Sequence, residues 1–155
     1  MVIGITSILE AVLHDFHERV QLNIHEGVVN LDHQTVEEIR TKSASAFDTY
    51  ISLAKKHGFF GEAEDGLYDD LEKLRKARNR VHIQNLKNNK PYDESRLFTP
   101  HLKFIAELCL ERVFFTMHNK YPRPNHVHNQ VQPFIVPWEP NLDTSYRLFS
   151  EESED

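Results

Sequence analysis

The strongest constraint on the fold is an apolar repeat at helical spacing in residues 67–88, a stretch with few helix-breaking residues. Because a helix turns by about 100° per residue, the apolar members of this stretch fall on one stripe that should face a core. They are Leu67, Leu71, Leu74 and Val81. Arg78 and Asn85 project from the centre of the same stripe, and Arg75 and His82 from its edge. A buried arginine is costly unless it is paired or faces water, so the position of Arg78 suggests a function.

Apolar residues recur at the same spacing elsewhere, and they predict four helices. Their expected bounds are 7–26, 33–57, 67–88 and 99–120. The first helix is expected to begin with a capping box formed by Ser7 and Glu10, the second after Asp32 or Thr35, and the fourth at Thr99, which is followed by proline. Four helices with short loops predict an all-α fold, an antiparallel up-down four-helix bundle.

The last part of the chain has a different composition. Residues 122–155 contain five prolines, an apolar patch at 134–138 and an acidic end at 150–155. We therefore expect residues 1–121 to form the bundle and residues 122–155 to form a proline-rich, extended C-terminal arm with an acidic tail. The patch at 134–138 should contact another surface, because exposed apolar patches of this size are a liability.

Length and composition indicate a single domain outside the membrane. The chain has 155 residues, of which 39% are hydrophobic, and no apolar run approaches the roughly 18–20 residues that span a bilayer. The N-terminus lacks the basic region of a signal peptide, so we expect none. The single cysteine, Cys109, lies in an apolar helical pattern and is expected in the core. These features predict a cytoplasmic protein.

The net charge of −6 argues against a nucleic acid as the partner, but its distribution weakens that objection. The tail at 150–155 supplies four acidic residues, whereas residues 73–90 carry seven lysines and arginines and no acid. Such a basic segment is typical of a surface that binds phosphates, although a solvated basic helix has the same composition.

Other residue patterns predict structure rather than chemistry. His14 and His17 lie one turn apart, and His126 and His128 have a spacing known from metal ligands. Neither pair has a cysteine or carboxylate partner at a characteristic spacing, so we expect surface histidines, with no metal and no cofactor. Arg112 also falls on an apolar helix face, and we expect it to pair with an acid from a neighbouring helix.

The residues around Arg78 form a chemically coherent set. Arg75, Arg78 and His82 share one helix face, and Asn79 lies three residues before the histidine. Histidine transfers protons near neutral pH, a guanidinium binds phosphate, and asparagine can orient either group. Together they suit metal-independent cleavage of RNA, in which the 2′-hydroxyl attacks the adjacent phosphate.

The run Leu-Arg-Lys-Ala-Arg-Asn-Arg-Val-His at 74–82 resembles the signature of HEPN domains, in which an arginine, often with a polar residue after it, precedes a histidine by four to six residues. HEPN domains are all-helical bundles that include many ribonucleases of toxin–antitoxin, phage-defence and RNA-processing systems. The resemblance implies an endoribonuclease with the motif on its third helix. It also implies a homodimer whose two motifs form one composite active site, and it allows a cognate antitoxin or regulatory partner.

The spacing leaves two candidates for the motif arginine. Six residues separate Arg75 from His82, as the family pattern requires, but Arg75 is followed by lysine. Arg78 is followed by Asn79, as in many members, but only three residues separate it from the histidine. The resemblance therefore assigns His82 and divides the arginine role, with Arg78 favoured by its place on the stripe. Some family toxins have a modifiable tyrosine two residues after the histidine, where this chain has Gln84.

Two alternatives to an enzyme remain open. HEPN-like bundles also serve as non-catalytic modules, in which Arg75, Arg78 and His82 would bind a nucleotide, RNA or an acidic protein segment without cleavage. In the other alternative the protein is structural, and a buried acid from another helix pairs with Arg78.

Overall fold

The computed structural model describes residues 1–22, 31–41, 46–82, 98–122 and 137–138; the side chains of Leu22, Val81 and His82 fall outside this description. Within these ranges the chain is helical and has no strand, which confirms the predicted all-α bundle. The helices are α1 (Val2–Leu22), α2 (His33–Thr41), α3 (Phe47–His57), α4 (Leu67–His82) and α5 (Pro100–Lys120), with a short 3₁₀ helix at Ala63–Asp65. No described helix has the length and apolar character of a membrane span.

The first predicted helix begins earlier than expected. α1 starts at Val2, so Ser7 lies inside the helix and the predicted capping box with Glu10 is wrong. Apolar residues at positions 2, 3 and 5 already continue the helical period before Ser7. The Thr6 hydroxyl donates to the carbonyl of Val2 at 2.9 Å, as an in-helix threonine does. The predicted residues 23–26 lie outside the described part.

The second predicted helix, at 33–57, is not continuous. α2 ends at Thr41 and α3 begins at Phe47, after Ala46 with extended backbone angles (φ −138°, ψ 149°). Asp32 accepts hydrogen bonds from the Thr35 amide (2.9 Å) and hydroxyl (2.6 Å), so the first of the two predicted starts is confirmed. α3 ends at Gly58, whose φ of 60° lets its N–H reach the carbonyls of the last turn.

The remaining helix boundaries follow the prediction where the structure describes them. α4 begins at Leu67, and the predicted continuation at 83–88 lies outside the described residues. Thr99 caps α5 by accepting a hydrogen bond from the Leu102 amide at 3.1 Å, and Pro100 occupies the first helical position. Both predictions for the start of this helix are confirmed.

One core joins the helices. The predicted stripe of α4 is confirmed for Leu67, Leu71 and Leu74, which are fully buried. They belong to one apolar cluster that also contains residues of α1, α2, α3 and α5. The predicted loop at 58–66 also contributes to the core, because Phe59 and Phe60 are buried and the Tyr121 hydroxyl donates to the Phe59 carbonyl at 3.1 Å.

Helix α4 runs antiparallel to α3 and α5. Lys55 near the end of α3 pairs with Asp69 near the start of α4 at 3.1 Å, and Arg112 in the second half of α5 pairs with Asp65 just before α4 at 3.3 Å. The C-terminal end of α4 therefore lies at the end of the bundle where α3 and α5 begin. The pair made by Arg112 also confirms the predicted acidic partner, which comes from the short 3₁₀ helix.

The C-terminal arm contacts the bundle of its own chain through Trp138. The indole is partly buried against the core, and its N–H donates to Oε1 of Glu111 at 2.8 Å. Glu111 itself is fully buried in α5. The prediction that the patch at 134–138 contacts another surface is thus confirmed for Trp138, while 134–136 and the acidic tail lie outside the described residues.

Candidate active site

The candidate site begins where the apolar stripe of α4 changes to polar residues. Leu71 and Leu74 are fully buried, whereas Arg78, one turn later on the same stripe, keeps 22% of its side chain exposed. The arginine therefore lies at the margin of the core, close to the end of the helix. The predicted placement of Arg78 on the core-facing side is confirmed by its partial burial.

Arg78 pairs with a carboxylate from another helix. Its Nη1 lies 2.7 Å from Oε2 of Glu10 in α1, and the Glu10 side chain is 27% exposed. The Nε atom of Arg78 is buried and has no hydrogen-bond partner among the described residues. This pair has the connectivity expected in the structural alternative, but its acid is half-buried instead of fully buried.

Arg75 has a different partner on its own helix. Its Nε donates to both carboxylate oxygens of Glu72 at 3.2 Å, and its Nη2 donates to Oε2 at 2.9 Å. Hydrogen bonding to Glu72 is the main cause that raises the pKa of Arg75, and burial acts in the opposite direction. The carboxylate of Asp48 in α3 adds a weaker contribution that raises this pKa. Arg75 thus faces α3, whereas Arg78 faces α1.

The other motif residues lie next to these arginines along the helix. Asn79 is half-buried. His82 is the last residue of α4 that the structure describes, one turn beyond Arg78, and only its place in the helix is described. The structure therefore brings Arg75, Arg78 and Asn79 to one end of the bundle, and it places the backbone of His82 at the same end.

Two helix N-termini add positive potential at this end. The first amides of a helix carry a partial positive charge, and α3 and α5 both begin at the end of the bundle that contains the last described turn of α4. The first turn of α3 contains Asp48, which offsets part of that charge, whereas the first turn of α5 has no acid. The two N-termini favour negative charge at this end of the bundle, where Glu10 and Glu72 already supply two carboxylates.

The remaining basic residues of α4 lie on the opposite side of the helix. Lys73, Lys76 and Arg80 are exposed, and Lys73 pairs with Asp70 at 2.7 Å, which raises the pKa of the lysine. Lys87 and Lys90, the other members of the predicted basic segment, lie outside the described residues. The basic segment therefore divides into a solvent-facing stripe and the half-buried pair of Arg75 and Arg78.

The other candidates for chemistry lie apart from this site or in the core. The prediction of surface histidines is confirmed for His14 and is wrong for His17, which is buried beside Gln21. No group of three potential metal ligands occurs in the described ranges. His126 and His128 fall outside them. The prediction that Cys109 lies in the core is confirmed because the residue is buried, and this burial raises the pKa of its thiol to about 12.

Glu10 is the residue of this site that sequence reasoning missed. The sequence assigns it to a capping box with Ser7, and nothing in the local pattern links it to a residue 68 positions later. The only available signal was indirect, because an arginine at a core-facing position requires an acid from a neighbouring helix. Several helices offer one, so the partner becomes known only from the packing of α1 against α4.

Comparison with known proteins finds no relative of this chain. The chain matches no protein-family model, no curated protein and no solved structure.

Proposed function

We propose that the protein is a metal-independent endoribonuclease of the HEPN type, which cuts RNA by attack of the 2′-hydroxyl on the adjacent phosphate. The observation that carries this proposal is the position of Arg78. It occupies the core-facing stripe directly beyond Leu71 and Leu74, yet it remains partly exposed at the end of the bundle. An apolar residue would suit that position better if packing alone mattered.

The proposed roles follow from the chemistry of the side chains. His82 transfers a proton, and Arg78 or Arg75 binds the scissile phosphate and stabilises the extra charge of the pentacoordinate transition state. Asn79 orients one of these groups. The closest contact with Glu10 is made by Nη1 of Arg78, and Nε has no hydrogen-bond partner among the described residues. A guanidinium has five N–H donors, so donors remain for a phosphate.

The proposed partners are RNA, a second copy of the chain and a cognate antitoxin or other regulatory protein. A homodimer would bring two motifs together into one composite active site, with the Arg75–His82 helix ends near its two-fold axis. Light scattering at micromolar concentration tests this assembly, and a monomer under conditions in which RNA is cut would contradict the composite site.

Cleavage of labelled RNA in EDTA tests the reaction. The expected products carry 2′,3′-cyclic phosphate ends, and DNA of the same sequence stays intact because it lacks the nucleophile. His82→Ala should reduce the rate by about 10²–10⁴-fold, the range for loss of a general acid or base, with RNA affinity little changed. Cleavage that persists in His82→Ala would contradict the assigned role.

Two variants determine whether Arg78 or Arg75 is the motif arginine. Arg78→Lys keeps the charge but loses the planar fork, so cleavage should fall. Arg75→Ala should have the smaller effect on the chemical step if Arg78 is the motif arginine. The reverse order would assign the role to Arg75, which has the family spacing from His82.

A second candidate is a non-catalytic HEPN-like module that binds nucleotide, RNA or an acidic protein segment. The observation that favours it is that Arg75 and Arg78 both pair with carboxylates of their own chain, as structural arginines do. Wild-type protein that binds RNA in EDTA but leaves it uncut would support this candidate over the nuclease.

A further inference from the structure

The proposed reaction needs two proton transfers, but the motif supplies one histidine per chain. A base must remove the proton of the 2′-hydroxyl, and an acid must protonate the 5′-oxygen that leaves the phosphorus. We propose that Glu10 is the general base of this reaction and that His82 is its general acid. This assignment rests on the proposed ribonuclease function and adds a catalytic residue from a different helix.

The contact between Glu10 and Arg78 brings a carboxylate to the phosphate site. Oε2 of Glu10 lies 2.7 Å from Nη1 of Arg78. A phosphate bound to the remaining N–H groups of the guanidinium would therefore lie beside the carboxylate. In RNA the 2′-hydroxyl is on the carbon next to the one that carries the 3′-phosphate oxygen, so a base must be close to the phosphate it serves.

Glu10 also has an oxygen without a hydrogen bond among the described residues, and it has access to solvent. Its closest contact with Arg78 is made by Oε2, and within the described residues Oε1 accepts no hydrogen bond. The side chain is 27% exposed, which permits contact with a substrate at the surface. Oε1 can thus accept the proton of the hydroxyl while Oε2 keeps Arg78 in place.

Glu72 lacks these properties, although it too pairs with a motif arginine. Both of its carboxylate oxygens accept hydrogen bonds from Arg75, and the two residues lie one turn apart on the same helix. Glu72 therefore stabilises one rotamer of Arg75, and both carboxylate oxygens of Glu72 are engaged in this contact. This difference makes Glu72 a matched control for Glu10.

The step balances in atoms and electrons. The carboxylate of Glu10 takes the proton of the 2′-hydroxyl, the 2′-oxygen forms a bond to phosphorus, and the bond from phosphorus to the 5′-oxygen breaks. The imidazolium of His82 gives its proton to that oxygen. The products are a 2′,3′-cyclic phosphate, a free 5′-hydroxyl, a protonated Glu10 and a neutral His82.

The test is single-turnover cleavage of labelled RNA by the full chain in EDTA, measured across pH for Glu10→Gln and Glu72→Gln. Glu10→Gln should lower the cleavage rate by about 10²–10⁴-fold. In wild type the rate should rise with pH at the acidic end of the profile as Glu10 loses its proton, and in Glu10→Gln this rise should be absent. RNA binding and the circular dichroism spectrum should stay close to wild type. Glu72→Gln should cleave within a factor of a few of wild type.

A second variant keeps the test decisive if Glu10→Gln does not fold. Glu10→Asp retains the charge and the basic group on a shorter side chain, so it should cleave at a reduced rate and keep the increase on the acid side. A base shortened by one carbon would be misplaced but still able to take the proton.

The outcomes separate the two proposals. Normal cleavage by Glu10→Gln, with His82→Ala inactive, would overturn the role of Glu10 and leave the ribonuclease function standing. A slower Glu10→Gln that keeps the increase on the acid side would also overturn it, since the carboxylate would then only position Arg78. Wild-type protein that does not cleave RNA would overturn both.

Discussion

The hydrogen bond from Trp138 to Glu111 should contribute measurably to stability, because it ties the C-terminal arm to a buried carboxylate. Trp138→Phe removes the indole N–H and keeps an aromatic ring. A hydrogen bond to a charged group contributes about 1.5–3 kcal/mol, and the partial exposure of Trp138 favours the low end. At about 2–4 °C per kcal/mol for a chain of this length, the melting temperature should fall by roughly 3–6 °C.

The assay is thermal unfolding followed by circular dichroism, since Trp138→Phe removes the only tryptophan of the chain. Phe104→Leu is a suitable control, because that ring in α5 is 46% exposed and its change should have little effect. Trp138→Ala should cost more than Trp138→Phe, since it also removes the apolar contact with the core.

The single tryptophan also reports directly on the arm. In the wild-type protein, its emission should be blue-shifted and protected from acrylamide at low denaturant, and both properties should disappear when the arm leaves the bundle. Equal melting curves for Trp138→Phe and wild type, or emission typical of a water-exposed indole in the native protein, would refute the docking of Trp138 in solution.

Three further results are expected from the described contacts. Burial lowers the pKa of His17 below its ordinary 6.5. As the pH falls, His17 therefore binds a proton in the unfolded chain before it does so in the folded protein. The free energy of unfolding should consequently fall as the pH drops below about 6.5. Chemical denaturation at several pH values should show a smaller fall in His17→Gln, and an equal fall would contradict this. Cys109 should react with a thiol reagent only on unfolding, because its thiol is buried; rapid labelling of the native protein would contradict its position in the core. Removal of residues 122–155 should lower the melting temperature at least as much as Trp138→Phe, and an unchanged melting curve would show that the arm does not stabilise the bundle.

The parts of the fold that sequence predicted are those set by local periodicity and capping. Leu67, Leu71 and Leu74 share a face in any helix that contains them, and Thr99 with Pro100 marks a helix start regardless of tertiary contacts. These features need no knowledge of the rest of the chain, so they were predicted with the correct residues.

The errors arose where tertiary packing decides the outcome. The segment between α2 and α3 contains no glycine or proline, so nothing local marks the extended backbone of Ala46. Between Ile39 and Phe47, however, the chain has only serine, alanine and polar residues, and a continuous helix there would have no large apolar side chain to bury. The break allows Phe47 and Ile39 to enter the same core.

Replacement of Glu10 and Arg78 by apolar residues should separate their contribution to function from that to stability. A fully buried ion pair often stabilises a protein less than well-packed apolar residues of similar size, by about 1–4 kcal/mol. The Glu10–Arg78 pair is only half-buried, so the double variant Glu10→Met with Arg78→Met should unfold at a free energy close to or above that of wild type. Either single variant should be less stable, because each leaves one partly desolvated charge without its partner.

The same double variant should bind RNA more weakly and should not cleave it, since it removes the proposed phosphate ligand together with the proposed base. A double variant that is more stable than wild type but inactive would show that the pair is retained at a cost in stability for the sake of activity. A double variant that loses several kcal/mol of stability would instead show that the pair holds α1 against α4. The polar end of this bundle would then be explained by folding alone.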